Sequence, residues 1–274
     1  MRGILGAMSP AATLAEALEP VRADPSRSAI LLDIDGTLAP IVRHADDAHV
    51  PESTRTALIA VARSYAVVAC VSGRQASTAR RIVSLGSIAY VGAHGAELLL
   101  PGGGGVELDR EVAAWQDRVQ RFAAQHYDDD LRRLRVRAED KQAIAALHWR
   151  GAPDEEAAEA AVREVAAAAE HAGLAIHWGR KVLEIRPPVE ISKGRGIKRL
   201  LREHDLDTAL YVGDDRTDLD AFAGLRELVE HGRLRTAVCV GVASDETPPE
   251  LRDQADILVD GPPGVRGLLE ALTP

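Results

Sequence analysis

Aromatic side chains make up only 3% of this chain of 274 residues, and cysteine and methionine occur twice each. The core must therefore be aliphatic, and the 46% of hydrophobic residues, rich in alanine and valine, is enough to build a sizeable one. Two cysteines, Cys70 and Cys239, exclude a disulfide framework and suit small core residues of a reducing, cytoplasmic protein. No apolar run approaches the roughly 20 residues of a membrane span. The apolar patch ahead of Ser9 and Pro10 is shorter than a signal-peptide core, and those two residues suit the start of a short helix to about Leu18. Positive charge is scarce as well: 33 Lys and Arg against 42 Asp and Glu leave a net charge of -9, which excludes a general nucleic-acid surface. The densest basic run (Arg132, Arg133, Arg135, Arg137) is flanked by Asp128, Asp129, Asp130, Glu139 and Asp140, as on a solvated face.

What the chain does have is Leu-Leu-Asp-Ile-Asp-Gly-Thr-Leu at residues 31–38: an apolar approach, two aspartates one residue apart, then glycine and threonine. If the approach is a strand, its end presents Asp33 and Asp35 beside a loop able to fold around an anion. A carboxylate so placed can attack phosphorus and hold a cation. Asp-x-Asp-Gly also opens calcium loops, but the position two beyond Asp35 is Thr37, and His44 stands where a loop begun at Asp33 needs its terminal Glu. A plain strand end followed by a polar turn stays open for the octapeptide taken alone.

Short strand-like runs occur at residues 29–32, 66–71, 89–91, 209–212, 237–242 and 257–259, with helical stretches at 51–64, 75–85, 194–203, 218–228 and 265–272. Such alternation indicates a doubly wound α/β fold with a parallel sheet and helices on both faces. The middle breaks the rhythm. A helix at 111–125, a hairpin of 134–136 with 144–149, an alanine-rich helix at 154–172 and a strand pair at 174–178 and 182–186 predict an inserted α+β domain with an open antiparallel sheet. The boundaries expected are 1–102 with 187–274 for the core and 103–186 for the insert, a cap. Gly102 to Gly105 lacks the Lys-Ser/Thr ending of a phosphate loop and reads as a linker, as does Pro187-Pro188. Two linkers around one insert suit a hinged lid.

Three further pieces fall beside strand ends or helix starts. Ser72-Gly73-Arg74 follows a strand, so its hydroxyl and guanidinium can meet a phosphate or sugar hydroxyls, although a serine there is also an ordinary helix cap. Lys193-Gly194 precedes a helix, where the ammonium can offset the repulsion between Asp33 and a phosphate. Gly-Asp-Asp-Arg-Thr-Asp at 213–218 crowds Asp214, Asp215 and Asp218 into one loop, a density that a cation such as magnesium relieves. In this order the four pieces resemble the signature of the haloacid dehalogenase superfamily of phosphatases. The resemblance implies Asp33 as nucleophile and metal ligand, and Asp35 as general acid and base that also binds Mg2+ through its carbonyl. It further implies Ser72 and Lys193 as holders of the phosphoryl group, Asp214 as a metal ligand and Asp218 as a supporting acidic position of the metal site, through water or by orienting Lys193.

Further motifs narrow the likeness. Asp-Ile-Asp-Gly-Thr-Leu-Ala-Pro, Val-Ser-Gly-Arg, Gly-Ala-His-Gly-Ala-Glu, Glu-Asp-Lys with Leu-His-Trp-Arg, Glu-Ile-Arg-Pro and Gly-Asp-Asp-Arg-Thr-Asp together resemble trehalose-6-phosphate phosphatases with an open-sheet cap, over residues 31–220. That resemblance implies a monomeric, Mg2+-dependent sugar-phosphate hydrolase completing trehalose synthesis. Glu139, Lys141, His148 and Glu184 of the insert would read sugar hydroxyls, with Arg74, His94 and Glu97 contributing from the core. Without the resemblance, the insert residues read as a charged outer sheet face. Ile34 replaces a frequent Phe, and Ser192 stands where relatives often place Asp. The rival readings are a phosphatase for sucrose phosphate, a glycosyl phosphoglycerate or a hexose phosphate; a receiver-type signalling module, against which the motif order argues; and a non-catalytic sugar-phosphate binder.

Overall fold

The computed structural model describes residues 13–42, 47–245 and 247–273, so the helix start expected at Ser9 and Pro10 lies outside the described residues. Helix α1 (Leu14–Arg22) begins with a capping box in which the Thr13 hydroxyl accepts from the Glu16 N–H and Glu16 reaches back to the Thr13 backbone. Next come β1 (Ser28–Leu32), α2 (Glu52–Ser64), β2 (Val67–Val71), α3 (Ala76–Val83), β3 (Ala89–Gly92), β4 (Glu97–Leu99) and β5 (Glu107–Leu108). The middle of the chain forms α4 (Arg110–Ala113), α5 (Gln116–His126), α6 (Asp129–Arg133), β6 (Arg137–Lys141), β7 (Ile144–His148), α7 (Glu155–His171), β8 (Ala175–Gly179) and β9 (Val182–Arg186). The remainder is α8 (Lys193–Leu201), β10 (Thr208–Gly213), α9 (Asp218–Glu230), β11 (Thr236–Ala243), α10 (Pro249–Gln254), β12 (Ile257–Asp260) and α11 (Gly261–Leu272).

Two compact units result: the described residues up to Glu107 with those from Ile191 onward, and Leu108–Glu190. In the first, the sheet order is β12-β11-β10-β1-β2-β3-β4-β5. The six strands from β12 to β3 are parallel and β4 runs antiparallel to β3. Strands β1 and β2 are buried at every position, which is why they read as continuous apolar runs instead of alternating ones. Ile30 and Leu32 pack with Leu58 of α2 and Leu268 of α11, while Ala29 and Leu31 pack on the other face with Ile197 of α8 and Phe222 of α9. This is the doubly wound arrangement expected. Strands β4 and β5, at three and two residues, are too short to carry a period and were not foreseen. The glycines at 102–105 lie between them, with Gly102 at φ +65°.

The second unit is an open antiparallel sheet in the order β6-β7-β9-β8. One face packs Ala145, Leu147, Leu183 and Ile185 against Val119 and Phe122 of α5 and Val162 and Ala166 of α7. Two expectations need correction. The helix at 111–125 is two helices, α4 and α5, parted around Trp115. The first hairpin strand is β6, not 134–136, because Asp128 caps α6 and the chain leaves that helix through Arg135 at φ +57°. Four of the five residues of β6 are exposed, so no apolar alternation marks it.

Candidate active site

Strands β10, β1 and β2 are adjacent and parallel, so the loops carrying Asp214, Asp33 and Ser72 leave one edge of the sheet, where open α/β sheets bind ligands. Oxygens of Asp33, Asp214 and Asp218 lie within 4.8 Å of one another, all on buried residues. Lys193, 2% exposed, enters from the first turn of α8 and donates to Asp33 Oδ1 and Asp218 Oδ1, each at 2.7 Å. A close helix contact puts it there. A Cβ on Gly194 would stand 2.3 Å from the Asp220 carbonyl oxygen, so only glycine lets α8 approach α9 this closely. Ser192 accepts from the Arg195 N–H at 3.2 Å and caps α8, the task an aspartate would perform at that position.

Asp218 is saturated. Its Oδ1 also accepts from the Tyr211 hydroxyl at 2.5 Å, and its Oδ2 accepts from the N–H groups of Asp214 and Asp215 at 2.8 and 2.9 Å. It therefore holds Lys193 and the Asp214 loop, leaving Asp33 and Asp214 as the carboxylates suited to a cation. Thr37 donates to Asp214 Oδ1 at 3.1 Å, and Gly36, at φ +88°, lies so close to Asp214 that a Cβ would come within 2.1 Å of Oδ2. Hard oxygen donors and an excess of buried negative charge fit a divalent ion of the magnesium kind. Burial, reinforced by Asp218 and Asp214, raises the Asp33 carboxyl against the pull of Lys193. Burial and the neighbouring Asp218 and Asp215 charges push Asp214 up to about 7. Lys193 is pulled down by its burial, but Asp218 and Asp33 outweigh this and keep it charged. A cation beside these carboxylates would relieve the same strain.

Asp35 stands apart from this cluster. Arg74 Nε and Nη2 donate to its Oδ2 and Oδ1 at 2.7 and 2.8 Å. Ser72 is 1% exposed, and its hydroxyl accepts from the Arg74 N–H at 3.1 Å; the N-cap of α3 is Gln75. Ala93 N–H donates to the Arg74 carbonyl and His94 N–H to that of Ser72, at 2.7 and 3.1 Å. His94 itself sits at φ +56°, with its ring over Gly73. Glu97, expected among the sugar contacts, is 1% exposed and accepts from the Ala76 N–H at 2.7 Å, so it holds the start of α3 from inside.

In the second unit the remaining candidates share one sheet face. The cross-strand row His177, Glu184, Ala146, Glu139 lies on it, with Lys141 and His148 two residues along their strands. Lys141 Nζ donates to Glu184 Oε1 at 2.9 Å, Arg186 Nε to Glu184 Oε2 at 2.9 Å, and His148 Nε2 pairs with Glu139 Oε2 at 2.8 Å. Against the burial that would raise it, Lys141 and Arg186 hold Glu184 down to about 2. Arg186 and His177 escaped the sequence reading, yet period two from Glu184 reaches Arg186 and the hairpin register reaches His177. Tyr211 and Thr37 were likewise missed, since neither residue type advertises a partner.

The trehalose-phosphatase family model matches residues 31–255. Among curated proteins, the trehalose-phosphate phosphatase of Mycobacterium avium is 35% identical over 72% of this chain and 51% of its own length. Overall, the chain spans only 17% to 56% of the first curated relatives it matches. An Aspergillus fumigatus trehalose-6-phosphate phosphatase structure, 25% identical, superposes with a TM-score of 0.64 over 97% of this chain and 98% of that one. A haloacid dehalogenase-like hydrolase from Bacteroides thetaiotaomicron, 13% identical with a TM-score of 0.62 over 89% and 98%, shares the fold. The chain belongs to the trehalose-phosphatase family.

Proposed function

We propose that this chain hydrolyses trehalose 6-phosphate to trehalose and inorganic phosphate through an aspartyl-phosphate on Asp33, completing trehalose synthesis, with Mg2+ as cofactor. The observation that carries the reading is the buried Asp33–Lys193–Asp218 chain, with both links at 2.7 Å, at the edge of a parallel sheet. An Asp33 oxygen bonds to phosphorus as the ester bond to the sugar oxygen breaks, and Asp35 gives that oxygen its proton. Asp35 then takes a proton from the water that attacks phosphorus, and cleavage of the acyl-phosphate bond restores Asp33. Lys193 and Ser72 hold the phosphoryl oxygens while charge moves across them, and Asp218 and Tyr211 keep Lys193 in place. A divalent ion held by Asp33, Asp214 and the Asp35 carbonyl supplies charge neutralisation at the phosphate. The groups named belong to one chain, so a monomer suffices.

The second unit is read as the cap that selects the sugar. Glu139, Lys141, His148 and Glu184 offer paired donors and acceptors for hydroxyl groups, with Arg186 as a further donor. In the first unit, Arg74 and His94 offer donors of their own beside Asp35 and Gly73, and Glu97 acts by holding α3. Steady-state turnover of trehalose 6-phosphate, sucrose 6-phosphate and glucose 6-phosphate with Mg2+ tests the substrate. A preference for trehalose 6-phosphate of at least about tenfold, roughly 1.4 kcal/mol, is expected; a preference for either other ester overturns the assignment.

A further inference from the structure

The Arg74–Asp35 pair conflicts with the task given to Asp35. A carboxyl group that delivers a proton to a leaving oxygen must point one of its oxygens at that atom, and the Arg74 fork, at 2.7 and 2.8 Å, takes one lone pair of each Asp35 oxygen and fixes where the others point. A bidentate guanidinium pair fixes a carboxylate in plane and orientation more firmly than any single hydrogen bond. Hydrogen bonds hold the backbone on either side. Asp35 lies in a turn closed by the Gly36 N–H to the Ala39 carbonyl at 2.8 Å and by the Ala39 N–H to the Ile34 carbonyl at 2.8 Å. Arg74 is pinned by its own N–H to Ser72 Oγ and by its carbonyl to the Ala93 N–H, and Glu97 ties down the residue two positions on. The two side chains are within reach of solute, at 20% and 36% exposure.

We infer that Arg74 is a latch on Asp35, closed in the free protein and opened when the bound phosphate ester draws the guanidinium away. The inference rests on the phosphatase reading above. A dianionic phosphate presents the same fork-matching oxygens as a carboxylate with more charge, so it competes for Arg74 on equal geometry. The latch is weak enough to open, because a partly exposed ion pair biases its two states by only about two- to fivefold. It keeps Asp35 from acting until an ester is seated, a form of induced fit that trades some turnover of poorly held esters for discrimination. Esters that engage Arg74 poorly leave Asp35 tied for most of the time.

The leaving group reads out the latch. An alkyl ester such as glycerol 3-phosphate needs a proton on its departing oxygen, whereas p-nitrophenyl phosphate does not. The protein with Mg2+ is compared with Arg74→Gln and Arg74→Met on both substrates, and the quantity read is the ratio of kcat/KM for the alkyl ester to that for the aryl ester. The ratio cancels any difference in folded fraction. A latch predicts that it rises about two- to fivefold in both variants, while the preference for trehalose 6-phosphate over glycerol 3-phosphate falls. A ratio that drops means Arg74 aims Asp35 productively, and an unchanged ratio means the pair is inert; either overturns the latch, as does loss of both activities in both variants. If the wild-type protein hydrolyses neither ester nor trehalose 6-phosphate, the phosphatase reading itself has failed.

Discussion

Replacing Gly36 by alanine adds one methyl group at the most crowded point of the site. The residue sits at φ +88°, and the new Cβ would lie 2.1 Å from Asp214 Oδ2 and 2.5 Å from its carboxyl carbon. The positive φ alone costs a non-glycine residue roughly 1–2 kcal/mol. Restoring a normal contact distance moves the Asp214 carboxylate by about 1 Å, which breaks its hydrogen bond from Thr37 Oγ1 at a cost of about 1 kcal/mol. With residual overlap the sum is about 2–4 kcal/mol. At roughly 2–4 °C per kcal/mol for a chain of this size, the melting temperature should fall by about 4–16 °C. Because Asp214 is a proposed ion ligand, Mg2+ affinity measured by calorimetric titration of the folded variant should fall at least about tenfold. A melting temperature within about 1 °C of the wild type, together with unchanged Mg2+ affinity, refutes the reasoning that Gly36 makes room for Asp214.

Lys193→Met leaves Asp33 and Asp218 facing each other without a cation, so thermal melts should show a loss of about 3–5 kcal/mol and phosphate release should fall by roughly 10²–10³-fold; an unaltered melting temperature contradicts the buried-pair geometry. In the second unit, Lys141 and Arg186 hold Glu184 down to about 2 in the folded state, against an ordinary 4.5. Its stabilisation is therefore complete above pH 4.5 and is lost as pH falls through about 2. Trp115, Trp149 and Trp178 all lie in this unit, so urea unfolding followed by tryptophan fluorescence should show wild type more stable than Glu184→Gln by up to about 3 kcal/mol near pH 6. The difference should shrink toward pH 2, and a difference independent of pH refutes the cause assigned to the shift. Chelation with EDTA should abolish turnover of trehalose 6-phosphate and added Mg2+ should restore it, measured as inorganic phosphate; turnover that survives exhaustive chelation argues against a cation at Asp33 and Asp214.

Much of the first unit was legible because parallel strands buried on both faces appear as unbroken apolar runs such as residues 29–32, and each run ends at a chemically marked loop. Asp33, Ser72 and Asp214 were locatable for that reason. What the sequence hid is pairing. Nothing in the spacing reveals that Asp35 faces Arg74, that Tyr211 and Asp218 share a hydrogen bond, or that Glu97 points inward to the Ala76 N–H instead of outward. In the second unit the charged strand β6 carries no apolar period, so its position slipped by several residues, whereas in Val182–Arg186 the stretch from Leu183 to Arg186 alternates apolar and charged residues, and this strand was placed correctly. Register in turn decides which polar residues share a face, and so His177 emerged only from the strand pairing.

The most direct test of Asp33 as nucleophile is acid quenching of the reaction with ³²P-labelled trehalose 6-phosphate and Mg2+, followed by a search for label bound to the protein. The expected result is hydroxylamine-sensitive label on the wild-type chain, mapping to the peptide that contains Asp33, and neither label nor turnover in Asp33→Asn. Turnover retained by Asp33→Asn, or label on another residue, contradicts the mechanism.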